Sequence, residues 1–146
     1  MSAASDVLPR DASGKPLPMI TPEGAPFWEA TLRGELVTQR CDSCEKRQFP
    51  PRLLCRFCGG RELQWQPTAP RGTIYSFTII HRPPEAAFAA DVPYVLAVVQ
   101  LEEGGRIMAN LVDCTPDRAH VEMAVEAVFE QVSDEIALVR FRPVRG

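Results

Sequence analysis

Four cysteines in two matched pairs constrain this 146-residue chain more than anything else in it: Cys41-Asp42-Ser43-Cys44 and, ten residues later, Cys55-Arg56-Phe57-Cys58. Two residues between cysteines let one tight turn aim both sulfurs at a single point. Two such turns facing each other close a tetrahedral four-thiolate site. That geometry leaves the ion no open position for water or substrate, so the expected role is structural.

Zinc is the expected ion, and iron in the same sulfur set stays open because thiolates accept both metals. Two disulfides fit poorly, since the opening Met1 to Asp6 has neither the basic nor the apolar region of an export signal. A redox dithiol would ask for one pair at a helix start after a strand, not two matched pairs. Glu45 stands after Cys44 where a glycine would ease the turn, whereas Gly59 and Gly60 follow Cys58 as the turn prefers. Pro50 and Pro51 bar a helix between the pairs, leaving a ribbon flanked by candidate strands at 36–40 and 62–66, with Trp65 placed to cover one face of the metal turn. So small a module has little core of its own and draws its stability from metal binding, worth about 10–16 kcal/mol in zinc-finger peptides.

The rest of the chain is long enough for a true core. At 45% hydrophobic and 24% charged side chains it has a globular composition, and a chain of this length buries roughly 68% of its unfolded surface. No run of about 18 apolar residues exists, which argues against a helical membrane span, and a cytoplasmic protein is expected. The net charge of −3 argues against a general nucleic-acid binder. Residues 33–71 nevertheless hold eight of the sixteen basic side chains and four of the nineteen acids, a basic middle between acidic flanks.

Residues 1–25 read as a proline-rich extended arm, either a frayed tail or a segment lying along a partner, with the tail favoured. Phe27, Trp28, Leu32 and Leu36 follow Pro26 at helical spacing, so a short helix is expected over 26–35 within a helix-and-ribbon unit at 26–68. From residue 69 to 146 the texture is β. Runs at 73–81, 94–101, 106–112 and 136–141 carry strand composition, and Glu102 to Gly105 reads as a hairpin turn. The segment 121–132 alternates like a strand while its glutamates recur at helical spacing, and the strand reading is preferred for its β-branched content. The fold class is thus mainly β: arm, short helix, zinc ribbon and a five-stranded barrel of the oligonucleotide/oligosaccharide-binding (OB) type.

The order FWEATLRGELVTQRC, then PPR between the cysteine pairs, GTIYSFTIIHRP and the closing Phe141-Arg142-Pro143 resembles the zinc-ribbon OB-fold proteins of the DUF35 family over about residues 25–143. Glu45 and Ala124 depart from it, where the family favours glycine. The resemblance implies a non-catalytic accessory subunit that partners a thiolase-like enzyme, a thiolase or aldolase, acting on an acyl-CoA. It implies zinc on Cys41, Cys44, Cys55 and Cys58, and a coenzyme A thioester shared with the partner. Arg52, Arg71, His81 and Arg82 are the candidate contacts to the coenzyme's phosphates, because guanidinium groups grip phosphate in a two-pronged geometry. A Cys114 nucleophile with His81 or His120 as base is disfavoured, since a small thiol at a strand end is commonly just packed. The rival class is a single-strand nucleic-acid-binding OB protein, with Tyr75, Phe77 and Tyr94 as stacking residues; the acidic barrel argues against it.

Overall fold

The computed structural model describes residues 8–145. Its single α-helix, α1 (Ala25–Leu32), starts with Pro26 in the first turn, where the missing N–H costs nothing. It stops three residues earlier than the spacing suggested because Gly34 turns left-handed (φ 71°), so that the Glu35 N–H bonds back to the Ala30 carbonyl at 3.0 Å.

The ribbon is a three-stranded antiparallel sheet in the order β2 (Arg47–Gln48), β1 (Val37–Cys41), β3 (Leu63–Pro67). Two-residue β2 carried no readable signal in the sequence. The longer pair holds register with Gln39 opposite Trp65, and Trp65 packs half-buried against the main core.

Five strands then close a barrel: β4 (Arg71–Ile80), β5 (Tyr94–Leu101), β6 (Arg106–Leu111), β7 (Ala124–Gln131) and β8 (Ala137–Pro143). The spatial order is β4-β5-β6-β8-β7, with β7 returning to β4 through Gly72 opposite Val125. One parallel contact, Leu111 beside Phe141, lets β6 and β8 meet. This is the closed OB topology that five short strands suggested. β4 bends at a bulge between Ile74 and Ser76, so one ten-residue strand can pair with β5 along its length and with β7 at its start.

Alternation builds the core. Val95, Ala97, Val99 and Leu101 of β5 point inward with Ile107, Ala109 and Leu111 of β6, and Ile74, Val125 and Phe141 fill the remaining space. Each large side chain buried this way contributes about 1.5–3 kcal/mol. The strand reading of 121–132 holds for Ala124–Gln131, which pairs with β8 from Val125 to Gln131. Before it, Glu122 takes a left-handed turn (φ 72°).

The arm departs from expectation over its described part. Instead of fraying, residues 8–20 fold back as a small loop closed by the Leu17 N–H on the Pro9 carbonyl (2.7 Å). Arg10 and Lys15 then pair with Glu85 and Asp91 at 2.6 and 2.7 Å, so the arm lies on the β4–β5 connection of its own chain. No helix of the described residues is long and apolar enough to cross a membrane.

Candidate metal centre and the surfaces around it

The ribbon brings Cys41, Cys44, Cys55 and Cys58 together, with all four sulfurs within 4.8 Å of one another. Cys41 lies 3.6 Å from Cys58 and Cys44 the same distance from Cys55. A tetrahedral ion with metal–sulfur bonds of about 2.3 Å needs sulfurs about 3.8 Å apart, and the two 3.6 Å pairs lie close to that spacing, so the set suits zinc.

Each pair is shaped by its own turn. Cys55 and Cys58 receive backbone N–H groups from Phe57 and Gly60, both at 3.4 Å, and Gly59 is left-handed (φ 76°). In the first pair Glu45 itself takes the left-handed angle (φ 65°) that a glycine would have taken freely. Its Glu45 N–H bonds the Cys41 carbonyl at 2.8 Å, and Arg40 holds its carboxylate at 3.1 Å.

The sulfurs act on one another as a single electrostatic unit. Burial raises the Cys55 thiol, yet the backbone donors of Cys58 and Phe57 together with the neighbouring sulfurs draw it down to about 6. Cys58 accepts the Gly60 N–H, which lowers it, but the Cys41, Cys55 and Cys44 sulfurs and burial push it up to about 11. Four thiolates so close cannot all ionise unaided; a divalent cation stabilises them together.

The four candidate phosphate contacts do not converge. Arg52 is fixed through its backbone, which donates to and accepts from the buried side chain of Gln39 at 2.8 and 2.9 Å, while its side chain is exposed. Arg71 pairs with Glu102 at 2.9 Å at the start of β4. His81 and Arg82 lie just past the other end of that strand, exposed and roughly 30 Å from Arg71. Cys114 donates to the Thr115 carbonyl (3.5 Å), and His120 Nδ1 lies 3.1 Å from the Arg118 carbonyl. No hydrogen bond joins that thiol to a histidine among the described residues.

Two concave surfaces escaped the reading of the sequence. One, about 600 Å³, lies where helix, ribbon and barrel meet: Trp28, Phe49, Leu96, Val98, Met108 and Leu138 give it an apolar lining, and Arg106 and Arg140 stand at it. Phe27, within the core, holds this corner together through ring contacts at 4.9 Å to both Trp28 and Phe49. The signal was present in 94–101, which is apolar at nearly every position: a strand apolar on both faces has something to cover outside as well as inside. The other, about 510 Å³, runs between the ribbon and the β5–β6 hairpin and holds Lys46, Arg47, Arg56 and Arg106.

Comparison with known proteins agrees with this architecture. Residues 28–64 match the family model for the ChsH2 rubredoxin-like zinc ribbon domain, and residues 65–130 that for the ChsH2 C-terminal OB-fold domain. A DUF35 domain-containing scaffold protein of Methanocaldococcus jannaschii is 35% identical over 101 residues, covering 68% of this chain and 71% of the relative. The chain belongs to the DUF35 family. A probable enoyl-CoA hydratase alpha subunit of Thermomonospora curvata is 36% identical over 129 residues; that match takes in 88% of this DUF35 chain but 40% of the longer relative. Among solved structures, a chain of an assembly titled Ltp2-ChsH2(DUF35) aldolase superposes with a TM-score of 0.77 at 36% identity, covering 87% of this chain and 98% of that one. A DUF35 protein from Sulfolobus solfataricus, 17% identical with a TM-score of 0.60, shares the fold. The match to a zinc ribbon domain and the four gathered sulfurs together support structural zinc here.

Proposed function

We propose that this chain is an accessory subunit of an acyl-CoA enzyme complex in the cytoplasm, docking on a thiolase-like partner that supplies the nucleophile and the proton-transfer groups. The observation that carries this reading is the apolar groove at the junction of α1, ribbon and barrel, where Met108 is 65% exposed in the middle of a sheet face. An apolar concavity of this kind marks a surface meant to be covered. Its position supports one further feature: helix, ribbon and barrel all contribute, so a partner seated there reads the whole assembly, divided as arm 1–25, helix and ribbon 26–68, and barrel 69–146. The names of the related proteins support the class, since they include scaffold proteins, a hydratase subunit and an aldolase assembly. Zinc on the four cysteines would hold the ribbon in shape, and the chemistry it supplies there is structural cross-linking alone. Coenzyme A is proposed as the shared ligand.

The test is capture from the native host with the tagged full chain, followed by mass spectrometry. A thiolase-like protein retained at near-equal amount supports the reading. Met108→Glu and Leu138→Glu, on outward positions of β6 and β8, should keep the melting temperature and lose that partner. Turnover of acyl-CoA thioesters by the lone chain, or unchanged capture by both variants, would sink it.

A further inference from the structure

The basic groove has a composition that the apolar docking face does not explain. Lys46 and Arg56 both stand over the exposed ring of Phe57, at 4.9 and 5.3 Å from its centre. Across the groove the Arg106 guanidinium carbon stands 3.7 Å over the centre of the Tyr75 ring, held by its Nε donating to Gln100 at 2.9 Å. None of these three cations is in an ion pair among the described residues; Arg47, the fourth cation of the groove, donates from its guanidinium to the Thr38 hydroxyl and the Gln66 and Pro67 carbonyls, and other cations without an ion pair, Arg52, Arg61, Arg82 and Arg118 among them, lie outside the groove. The two acids of the groove are engaged elsewhere: Glu45 with Arg40, and Glu103 with the Ala69 N–H at 2.6 Å. A chain of net charge −3 has thus left three cations unpaired around one concavity, each resting on an aromatic face.

Cations that line a cleft without ion-pair partners, beside rings able to stack a planar group, suit phosphates attached to a nucleobase. We infer that the cleft between ribbon and hairpin binds the phosphate-bearing end of an adenine nucleotide, with Lys46, Arg56 and Arg106 on the phosphates and Phe57 against the base. Arg106 also lines the apolar groove, so a ligand with an anionic head and an apolar tail can place its head here and extend its tail along the docking face. Identifying that ligand with the coenzyme A thioester rests on the reading above; the nucleotide site itself does not. The acidic outer barrel disfavours a long nucleic acid.

The experiment is a two-dimensional NMR titration of the zinc-loaded full chain with ADP, pyrophosphate, adenosine and an oligothymidylate. Saturable ADP binding, with pyrophosphate weaker and adenosine weakest, and shifts centred on Phe57, Gly104 and Gly105, supports the site. Arg56→Ala and Arg106→Ala should each weaken ADP about tenfold, while Arg71→Ala and Arg82→Ala leave it unchanged. No saturable ADP response, shifts located elsewhere, an equal loss in the Arg82 variant, or oligonucleotide binding tighter than ADP would each overturn the inference. Partner capture separates the two readings: a retained partner without ADP binding removes this site alone, and ADP binding without a partner removes the docking reading alone.

Discussion

The side-chain amide of Gln48 donates to that of Gln39 at 2.9 Å, with both residues buried in the ribbon. Together they hold the loop between the two cysteine pairs: Gln39 takes both backbone groups of Arg52, and Gln48 accepts the Arg56 N–H at 2.8 Å while donating to the Leu54 carbonyl. The second knuckle is therefore aimed by protein contacts as well as by metal. Gln48→Ala strands the Arg56 and Leu54 backbone groups, and a buried polar group left without a partner costs about 1–3 kcal/mol. The expected result is a less stable zinc-loaded protein and faster loss of zinc to a coloured chelator, read by denaturant melts and by absorbance.

Glu103 ties the hairpin tip to the linker between ribbon and barrel. Its carboxylate accepts the Ala69 N–H at 2.6 Å and the Thr68 hydroxyl at 3.3 Å, and the Ala69 amide is the main reason its pKa lies below the ordinary glutamate value. A carboxylate lowered in the folded state stabilises the fold above its unfolded pKa and loses that contribution as pH falls through the folded value. Glu103→Gln should therefore melt below wild type near about pH 7, and the gap should close toward about pH 3, below the carboxylate range. A gap that stays constant across that range would show that the charge plays no part.

The barrel and the metal set were legible in the sequence because each rests on a local signal: runs of β-branched and other apolar residues at 94–101 and 106–111 bounded by a glycine turn, and matched spacing in the cysteine pairs. What escaped were features made by residues far apart in the chain. Lys46, Arg56 and Arg106 meet only because the tip of the β5–β6 hairpin packs on the ribbon, where an added Cβ on Gly104 or Gly105 would lie 3.2 or 3.1 Å from Arg47 or Phe49. The apolar groove likewise needs Trp28, Met108 and Leu138 side by side, and no periodicity encodes that. The phosphate candidates were chosen by residue type within conspicuous motifs, and strand length then set Arg71 and His81 far apart.

Gly72 is where β4 is gripped between β5 and β7, opposite Leu101 on one side and Val125 on the other. A Cβ at this position would overlap the Gln100 carbonyl, and both neighbours are paired backbone that cannot yield separately. Overpacking of an ordinary core costs about 1–3 kcal/mol, and here the obstacle is main chain. Gly72→Ala should thus destabilise the barrel by about 3 kcal/mol or more. Equilibrium unfolding checks this, and a variant as stable as wild type would mean that the barrel closes elsewhere.

The arm is held by contacts of a weaker kind. Asp11 closes its loop by accepting from the Ser13 N–H and hydroxyl and from the Lys15 N–H, at 2.6 to 3.0 Å, which presents Arg10 and Lys15 to Glu85 and Asp91. Lys15 also lies 5.7 Å over the Phe88 ring. Exposed ion pairs contribute about 0–1 kcal/mol each and are screened by salt, so the arm should open locally without unfolding the barrel. In the Arg10→Ala, Lys15→Ala double variant, the Leu17 amide, which closes the arm on Pro9, should exchange with deuterium several-fold faster while the melting temperature stays within about a degree. About 1 M sodium chloride should have the same effect on wild type. Exchange at Leu17 unchanged in both cases would mean that its own burial holds the arm, with the ion pairs contributing nothing.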